Sequence, residues 1–495
     1  MNRSEIIRRV RDRQKPWDII VIGGGATGVG CAVDAASRGF DVLLLEQHDF
    51  GKGTSSRSTK LIHGGVRYLA QGNLSLVREA LKERGILLKI APHVVHKQAF
   101  IVPCYSLWQK IFYGAGLKVY DLMSGKYSIG RSRMLSKSET LDQLPSIKPE
   151  GLSGGVLYFD GQFDDTRLLI DLVKTAYKHG AAVLNYVRVS KFEKDENGRI
   201  SGMEFEEVEG GKTFSVKAKT VINATGVFCD SVRQMADQNI EPVVTYSQGI
   251  HLVFDKTFLN SDTALMIPKT SDGRVLFCIP WHDHLLVGTT DTPIDAPSLE
   301  PEALEAEIDF VLETAGQYLA GKPSREDILS VFAGIRPLVK SGKSIKTSAI
   351  SRGHDLFIED SGLITITGGK WTTYRRMAED AIDKAIEIGS LEARNSVTED
   401  LAIVGPTMSH DAERLHADLP YTRKDVIRAI RDEMARTVED VLARRTRALF
   451  LNASAAIEMA PAAAEIIANE LEKDKSWIEN QIETFNQTAG SYKRN

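Results

Sequence analysis

One stretch near the start limits the fold more than any other: residues 17–68, WDIIVIGGGATGVGCAVDAASRGFDVLLLEQHDFGKGTSSRSTKLIHGGVRY. Residues 18–22 are a short unbroken apolar run, the pattern of a parallel strand buried on both faces. Gly23, Gly25 and Gly28 follow at once in G-x-G-x-x-G spacing. That spacing makes a tight turn, lets the backbone approach a pyrophosphate and lets the next helix pack on the strand. A helix is expected over residues 26–37, so Ala26 and Thr27 open it with amides and a positive dipole end facing the diphosphate. A second apolar strand over 41–45 delivers Glu46, placed for hydrogen bonds from an adenosine ribose and disfavouring a 2′-phosphate. A glycine-rich turn alone is a weak signal. Strand, turn, helix, strand and acid in this order specify a dinucleotide.

The following segment separates flavin from nicotinamide. Thr54, Ser55, Ser56, Ser58, Thr59 and Lys60 form a hydroxyl-rich, glycine-flanked run suited to a diphosphate, a ribityl chain and an isoalloxazine edge. A solvated loop has a similar composition, but this one leads into LIHGGVRYL, with His63 and Arg67 on either side of a Gly64-Gly65 bend. TSSRSTKLIHGGVRYL closely resembles the signature of the FAD-dependent glycerol-3-phosphate dehydrogenases, within the D-amino-acid-oxidase-like flavoprotein superfamily. Across about residues 17–390 the resemblance implies an α/β fold: a Rossmann-like FAD-binding domain interleaved with an antiparallel-sheet substrate domain. The FAD-binding segments are expected at about 17–90, 151–235 and 330–390, the substrate segments at about 91–150 and 236–329, and a C-terminal helical cap at 396–495.

Composition serves mainly to exclude. A chain of 495 residues, 42% hydrophobic and 26% charged, is globular and long enough for two or three domains. A net charge of −4 gives no global attraction to nucleic acid. Cys31, Cys104, Cys229 and Cys278 are far apart without a C-x-x-C pair, so neither a metal site nor a disulfide framework is expected, and a reducing compartment is. The N-terminus is basic without the apolar core of a signal peptide, and no run reaches transmembrane length. These features lead to the expectation of a cytoplasmic protein, with attachment to a membrane surface left open.

Two segments invite that attachment. Residues 1–16 read as a basic helical arm with Ile6, Ile7 and Val10 on one side, either a frayed tail or a membrane-surface element. Residues 104–127 mix Trp108, Phe112, Tyr113 and Tyr120 with Lys110, Lys118 and Lys126, as in an interfacial helix or in the packing of a small domain. Between them a helix is expected over 74–90. Further on, Asp164-Asp165 reads as the cap of a helix over about 166–179 rather than as a metal or acid/base pair. The strand around Val187 to Val189 passes the adenine in relatives. Residues 220–223 form a buried strand ending at Ala224-Thr225-Gly226, which the superfamily sets against FAD. Short alternating runs over about 239–329 indicate antiparallel strands, one of which carries His251 toward the site. SVFAGIRPLV holds Arg336 between Gly334 and Pro337 and brings it back to the FAD domain. Gly368-Gly369 then precede Lys370, Trp371 and Thr372 at a helix start, whose dipole would stabilise negative charge on a reduced flavin. No EF-hand loop follows, and the insertion usual before the cap of oxidase relatives is not evident.

The resemblance implies oxidation of sn-glycerol 3-phosphate to dihydroxyacetone phosphate. That chemistry needs a hydride acceptor, a base for the hydroxyl proton and cations for the phosphate. Arg67, Arg336 and Lys370 come from three distant segments and supply the cations. His63 is the first choice of base, with His251 second; His63 could instead only orient substrate or bond the flavin. Membrane quinone is the expected electron acceptor and oxygen the alternative. A non-catalytic, redox-responsive FAD-binding module is the rival from another class. Peripheral contact with the inner membrane surface is expected, and a homodimer is compatible with the sequence.

Overall fold

The computed structural model describes residues 1–66, 69, 72–340, 354–405 and 413–493. Arg67, assigned to substrate phosphate from the sequence, lies outside the described residues.

Trp17–Ile22 is the strand the glycine spacing demands, and it lies inside a parallel stack. Its neighbours are Val42–Leu45 on one side and Thr213–Asn223 on the other, with Ile22 opposite Leu45 and Asn223. Ala182–Leu184 extends the sheet beyond Val42–Leu45, and Leu363–Gly368 extends it beyond Thr213–Asn223. All four residues of Val42–Leu45 are buried, as both faces of the sheet carry helices. The helix Ala26–Ser37 follows the glycine turn and packs against the late helix Tyr374–Ile388. There a Cβ on Gly30 would approach the Tyr374 ring to 2.8 Å.

The second sheet is antiparallel except where Ala264–Ile267 runs parallel to Val95–Cys104. Val244–Asp255 pairs over ten residues with Ser330–Val339, bringing Ser247 opposite Arg336 and His251 opposite Phe332. Two expected boundaries therefore change. Gly154–Phe163 and Ser330–Val339, both placed in FAD-binding segments from the sequence, belong to the antiparallel sheet. Both are long apolar runs, and such runs do not reveal which sheet they will join.

The C-terminal cap consists of a hairpin, Arg414–His416 with Leu419–Thr422, and helices that include Arg423–Glu433, Ala453–Leu471 and Lys475–Gly490. Its alanine-rich face joins one apolar cluster with strand residues Phe332, Trp281 and Ile279.

The N-terminal arm is the helix Arg3–Asp12, and its apolar side is not available to a membrane. Ile6 and Val10 are buried in the main core, Arg3 pairs with Glu207 at 2.6 Å, and Arg9 donates to the Gly180 carbonyl. The other candidate behaves differently. The helix Leu107–Ser124 buries Gly114, Leu117 and Tyr120 but leaves Leu107, Trp108, Ile111, Phe112, Val119 and Leu122 exposed, Trp108 at 72% and Leu122 at 80%. Tyr120, counted with the interfacial aromatics from the sequence, is internal. Among the described residues no helix is long and apolar enough to cross a membrane.

Candidate functional site

A cavity of about 780 Å³ lies where the ends of the parallel strands meet the antiparallel sheet, the usual place for a ligand in an open α/β sheet. Gly23, Gly25, Ala26 and Thr27 line it from the glycine turn. Gly25 has no side chain with which to cap the helix; Ser55 Oγ instead accepts from the Ala26 amide at 2.9 Å. Gly28 is close to the turn but does not line the cavity: a Cβ there would lie 1.9 Å from the Gly23 carbonyl oxygen, so it serves the packing of helix on turn.

Glu46 directly follows the second strand and is half-buried on the cavity wall. Oε2 accepts from the Gly24 amide at 2.6 Å and Oε1 from the His48 amide at 2.8 Å. Burial raises its pKa against those two bonds. Val189, Ala224, Thr225 and Gly226 line the same region of backbone.

The hydroxyl-rich loop divides into two sets. Thr54, Ser55, Ser58 and Thr59 face the cavity, and the loop is tied across the site by Thr54 Oγ1 to the Ile335 carbonyl and by Trp371 Nε1 to the Ser55 carbonyl. Ser56 and Lys60, expected among the cofactor contacts, do not line it. Lys60 is fully buried, with left-handed backbone, and its Nζ donates to Asp165 at 2.6 Å and to the Ser56 carbonyl at 2.8 Å. Burial pushes its ammonium down to about 7 despite Asp165. A lysine in a serine-rich motif has two directions open to it, and the buried carboxylate downstream decides. Asp164 caps the helix Asp165–Lys178, accepting from the Thr166 and Arg167 amides, as the sequence suggests.

The His63-Gly64-Gly65 bend is held from behind. Asp160 accepts from the Gly64 amide at 3.2 Å, from Arg84 at 2.8 Å and from the Tyr120 hydroxyl at 2.8 Å. A Cβ on Gly64 would strike that hydroxyl at 2.4 Å, so Gly64 fits the bend against its support and is not part of the cavity wall. Gly65 and His63 are part of it, and the His63 amide donates to Thr372 Oγ1 at 3.2 Å.

His251 enters from the antiparallel sheet, stacked on Phe332 with ring centroids 5.0 Å apart. Its Nε2 meets Thr59 Oγ1 at 3.0 Å, and Nδ1 is buried without a hydrogen-bond partner among the described residues. Burial, followed by the Lys60 and Arg336 charges, lowers its pKa well below the usual imidazole range. Arg336 and Gly334 line the cavity from the neighbouring strand. The Arg336 guanidinium donates to the Gln248 and Thr290 carbonyls and lies 3.4 Å from Asp291. Lys370, Trp371, Thr372 and Gly369 complete the wall at the start of the last flavin-side helix.

Three arginines on the wall, Arg57, Arg188 and Arg274, escape sequence reading. Arg57 pairs with Glu300 at 2.6 Å; it stands inside the hydroxyl motif, which was the available signal. Arg274 is ion-paired to Asp272 in a loop without any motif.

The residues present fit FAD. A backbone turn at a helix N-terminus, hydroxyls along one wall and a half-buried carboxylate just after the second strand match an extended dinucleotide. The remaining wall brings cations and two imidazoles to the same cavity.

Comparison with known proteins agrees with that geometry. Residues 18–375 match the family model described as FAD dependent oxidoreductase, and residues 384–477 match that of the C-terminal domain of alpha-glycerophosphate oxidase. The chain is 39% identical to a probable mitochondrial glycerol-3-phosphate dehydrogenase of Caenorhabditis elegans, over 95% of this chain and 72% of that protein. It is 41% identical to the mitochondrial glycerol-3-phosphate dehydrogenase of Mus musculus, over 94% of this chain and 72% of the mouse protein. A solved glycerol-3-phosphate dehydrogenase from Bacillus halodurans complexed with FAD is 27% identical and aligns over 99% of this chain and 97% of its own, with a TM-score of 0.79. The L-alpha-glycerophosphate oxidase of Mycoplasma pneumoniae with FAD bound, 17% identical, shares the fold at a TM-score of 0.61 over 80% of this chain and all (100%) of its own.

Proposed function

The chain belongs to the FAD-dependent glycerol-3-phosphate dehydrogenases, and from this premise we infer that it oxidises sn-glycerol 3-phosphate to dihydroxyacetone phosphate and passes the electrons to a membrane quinone. The observation carrying the reading is that Arg336, Lys370, His63 and His251, from four distant segments, line the same cavity as the dinucleotide turn. FAD supplies the two-electron acceptor for hydride from the secondary carbon. The glycine turn and the helix behind it would hold the diphosphate, and Thr54, Ser55 and Thr59 would offer hydroxyls along the chain of the cofactor, the Ser58 hydroxyl being donated to Asp165. Arg336 and Lys370 bind the substrate phosphate, Arg336 through the planar fork that suits phosphate oxygens and Lys370 as a point charge. Arg67 is assigned to the same phosphate. His63 takes the hydroxyl proton, held in place by its backbone bond to Thr372 and by the Asp160-supported bend. His251 stays neutral and orients the substrate.

The quinone acceptor and a peripheral site on the cytoplasmic membrane face are supported by the exposed apolar face of Leu107–Ser124, which suits insertion at a lipid interface. Oxygen is the competing acceptor, consistent with the oxidase-type C-terminal match. Anaerobic stopped-flow mixing tests both halves. Glycerol 3-phosphate should bleach the flavin absorbance, and a short-chain quinone should restore it faster than dissolved oxygen. No bleaching would overturn the substrate, and faster recovery with oxygen would overturn the acceptor. Acid precipitation should release the chromophore as free FAD.

A further inference from the structure

We propose that the C-terminal cap is a working part of the cofactor site: Arg444, Arg445 and Arg447 clamp the loop 49–60, so that cap docking and FAD binding form one coupled equilibrium.

The cap sends three buried guanidiniums into the FAD domain from one short stretch. Arg445 makes a two-pronged contact with Asp49, NH1 to Oδ2 at 2.7 Å and NH2 to Oδ1 at 2.8 Å, and Arg444 Nε reaches the same carboxylate at 2.6 Å. Asp49 stands three residues after Glu46, where the loop begins. Arg447 reaches the other end. Its NH2 donates to the Ser56 carbonyl at 2.8 Å and its NH1 to Thr166 Oγ1 at 2.8 Å, while the guanidinium lies 4.0 Å from the Phe450 ring centroid. Lys60 donates to the same Ser56 carbonyl from inside the fold. Between these anchors Lys52 is paired with Glu439 of the cap and with Glu300. The loop thus presents Thr54, Ser55, Ser58 and Thr59 to the cavity while the cap holds the opposite side of its backbone.

The cap also holds the strand that carries Arg336. Ser330 Oγ donates to the Leu449 carbonyl at 2.8 Å, the Val331 amide to the Tyr492 carbonyl and the Ala453 amide to the Leu329 carbonyl. Both walls therefore keep their shape only while the cap is docked. A ligand that binds the shaped walls must then favour the docked cap by the same free energy with which the cap favours the ligand. Arg447 touches neither substrate nor cofactor and is a positioning residue; the proposal rests on the assignment of FAD to this cavity.

Two measurements on the holoenzyme test the coupling. Arg447→Met, which keeps length and removes both donors, should speed FAD release by about tenfold or more, read as the gain in flavin fluorescence on dilution; that is the scale of losing charged hydrogen bonds. Hydrogen exchange then separates coupling from general loosening. In wild-type protein held at several FAD occupancies, amides of residues 423–451 should exchange more slowly as occupancy rises, in step with those of 49–60. If Arg447→Met fails to accumulate, the wild-type exchange series decides alone. Wild-type FAD release from the variant, or cap exchange that ignores FAD while the loop responds, would overturn the proposal. A wild-type preparation that neither holds nor takes up FAD would instead count against the cofactor assignment itself.

Discussion

Two histidines share one wall, and their surroundings divide their roles. His251 is buried against Phe332 beside two cations, so its ring stays neutral across the neutral range. A rise of flavin reduction with pH, through the region near 6.5 where imidazole ordinarily titrates, would therefore not come from His251. If His63 is the base, the rate should rise with pH as the ring loses its proton, and His63→Asn should slow reduction by about 10² to 10⁴ and erase that limb while FAD remains bound. The same limb in the variant would move proton removal away from His63, to a water or another group on the wall. Arg336 answers a different question. Arg336→Ala should cost one to two decades in kcat/KM, about 1.5 to 3 kcal/mol for a charged hydrogen bond, with FAD content unchanged. The structure adds that Asp291 loses a cationic neighbour in that variant, so Arg336→Lys is the cleaner control; unchanged kinetics in both would remove Arg336 from the phosphate site. At this scale the sequence was readable where a residue type is forced by contact, as at Gly23 and Glu46. It was not readable where direction is set from afar, as at Lys60, whose partner Asp165 is 105 residues away.

Helix and strand boundaries near the glycine turn were legible because local periodicity and punctuation agree there. The helices Ala26–Ser37 and Leu74–Ile90 lie where the apolar spacing puts them. The sheet membership of Gly154–Phe163 and Ser330–Val339 was not legible, since a strand's partner is a non-local fact. Amphipathic patterns were equally two-sided: the N-terminal helix closes on the core, whereas Leu107–Ser124 keeps its apolar face outward. If that face meets lipid, Trp108→Glu with Leu122→Glu should abolish co-sedimentation with anionic vesicles while glycerol 3-phosphate still bleaches the flavin. Undiminished sedimentation would place the contact elsewhere. The Asp49 contacts set an expected acid response of the cap. Burial opposes ionisation of Asp49, yet Arg445 and Arg444 hold its carboxyl down at about 2. With the folded pKa below the unfolded value near 3.9, its stabilisation is complete above about pH 4 and lost as pH falls toward 2. The thermal midpoint should therefore drop over that window, and Asp49→Asn should start lower at pH 7 and show a shallower acid limb. An unaltered limb would assign the acid sensitivity to other carboxylates.

At the level of the whole molecule, the central sheet orders its strands by space and not by sequence. Trp17–Ile22 lies beside Thr213–Asn223, which in turn pairs with Leu363–Gly368. This has a consequence in time. A ribosome adding roughly 5 to 20 residues per second makes Ile22 long before Leu363, the interval being on the order of twenty seconds to a minute. Throughout that interval the strand Trp17–Ile22 and its glycine turn exist without the full sheet that shapes them. The nascent chain should thus be flavin-free and dependent on protection of its apolar strands until Leu363–Gly368 has left the exit tunnel. Ribosome-stalled chains ending near residue 340 should fail to retain FAD on a sucrose cushion, whereas chains stalled beyond the cap should carry it. Cells short of flavin would then accumulate this protein as a late, nearly complete intermediate exposed to proteases, and riboflavin supply would set its abundance as well as its activity.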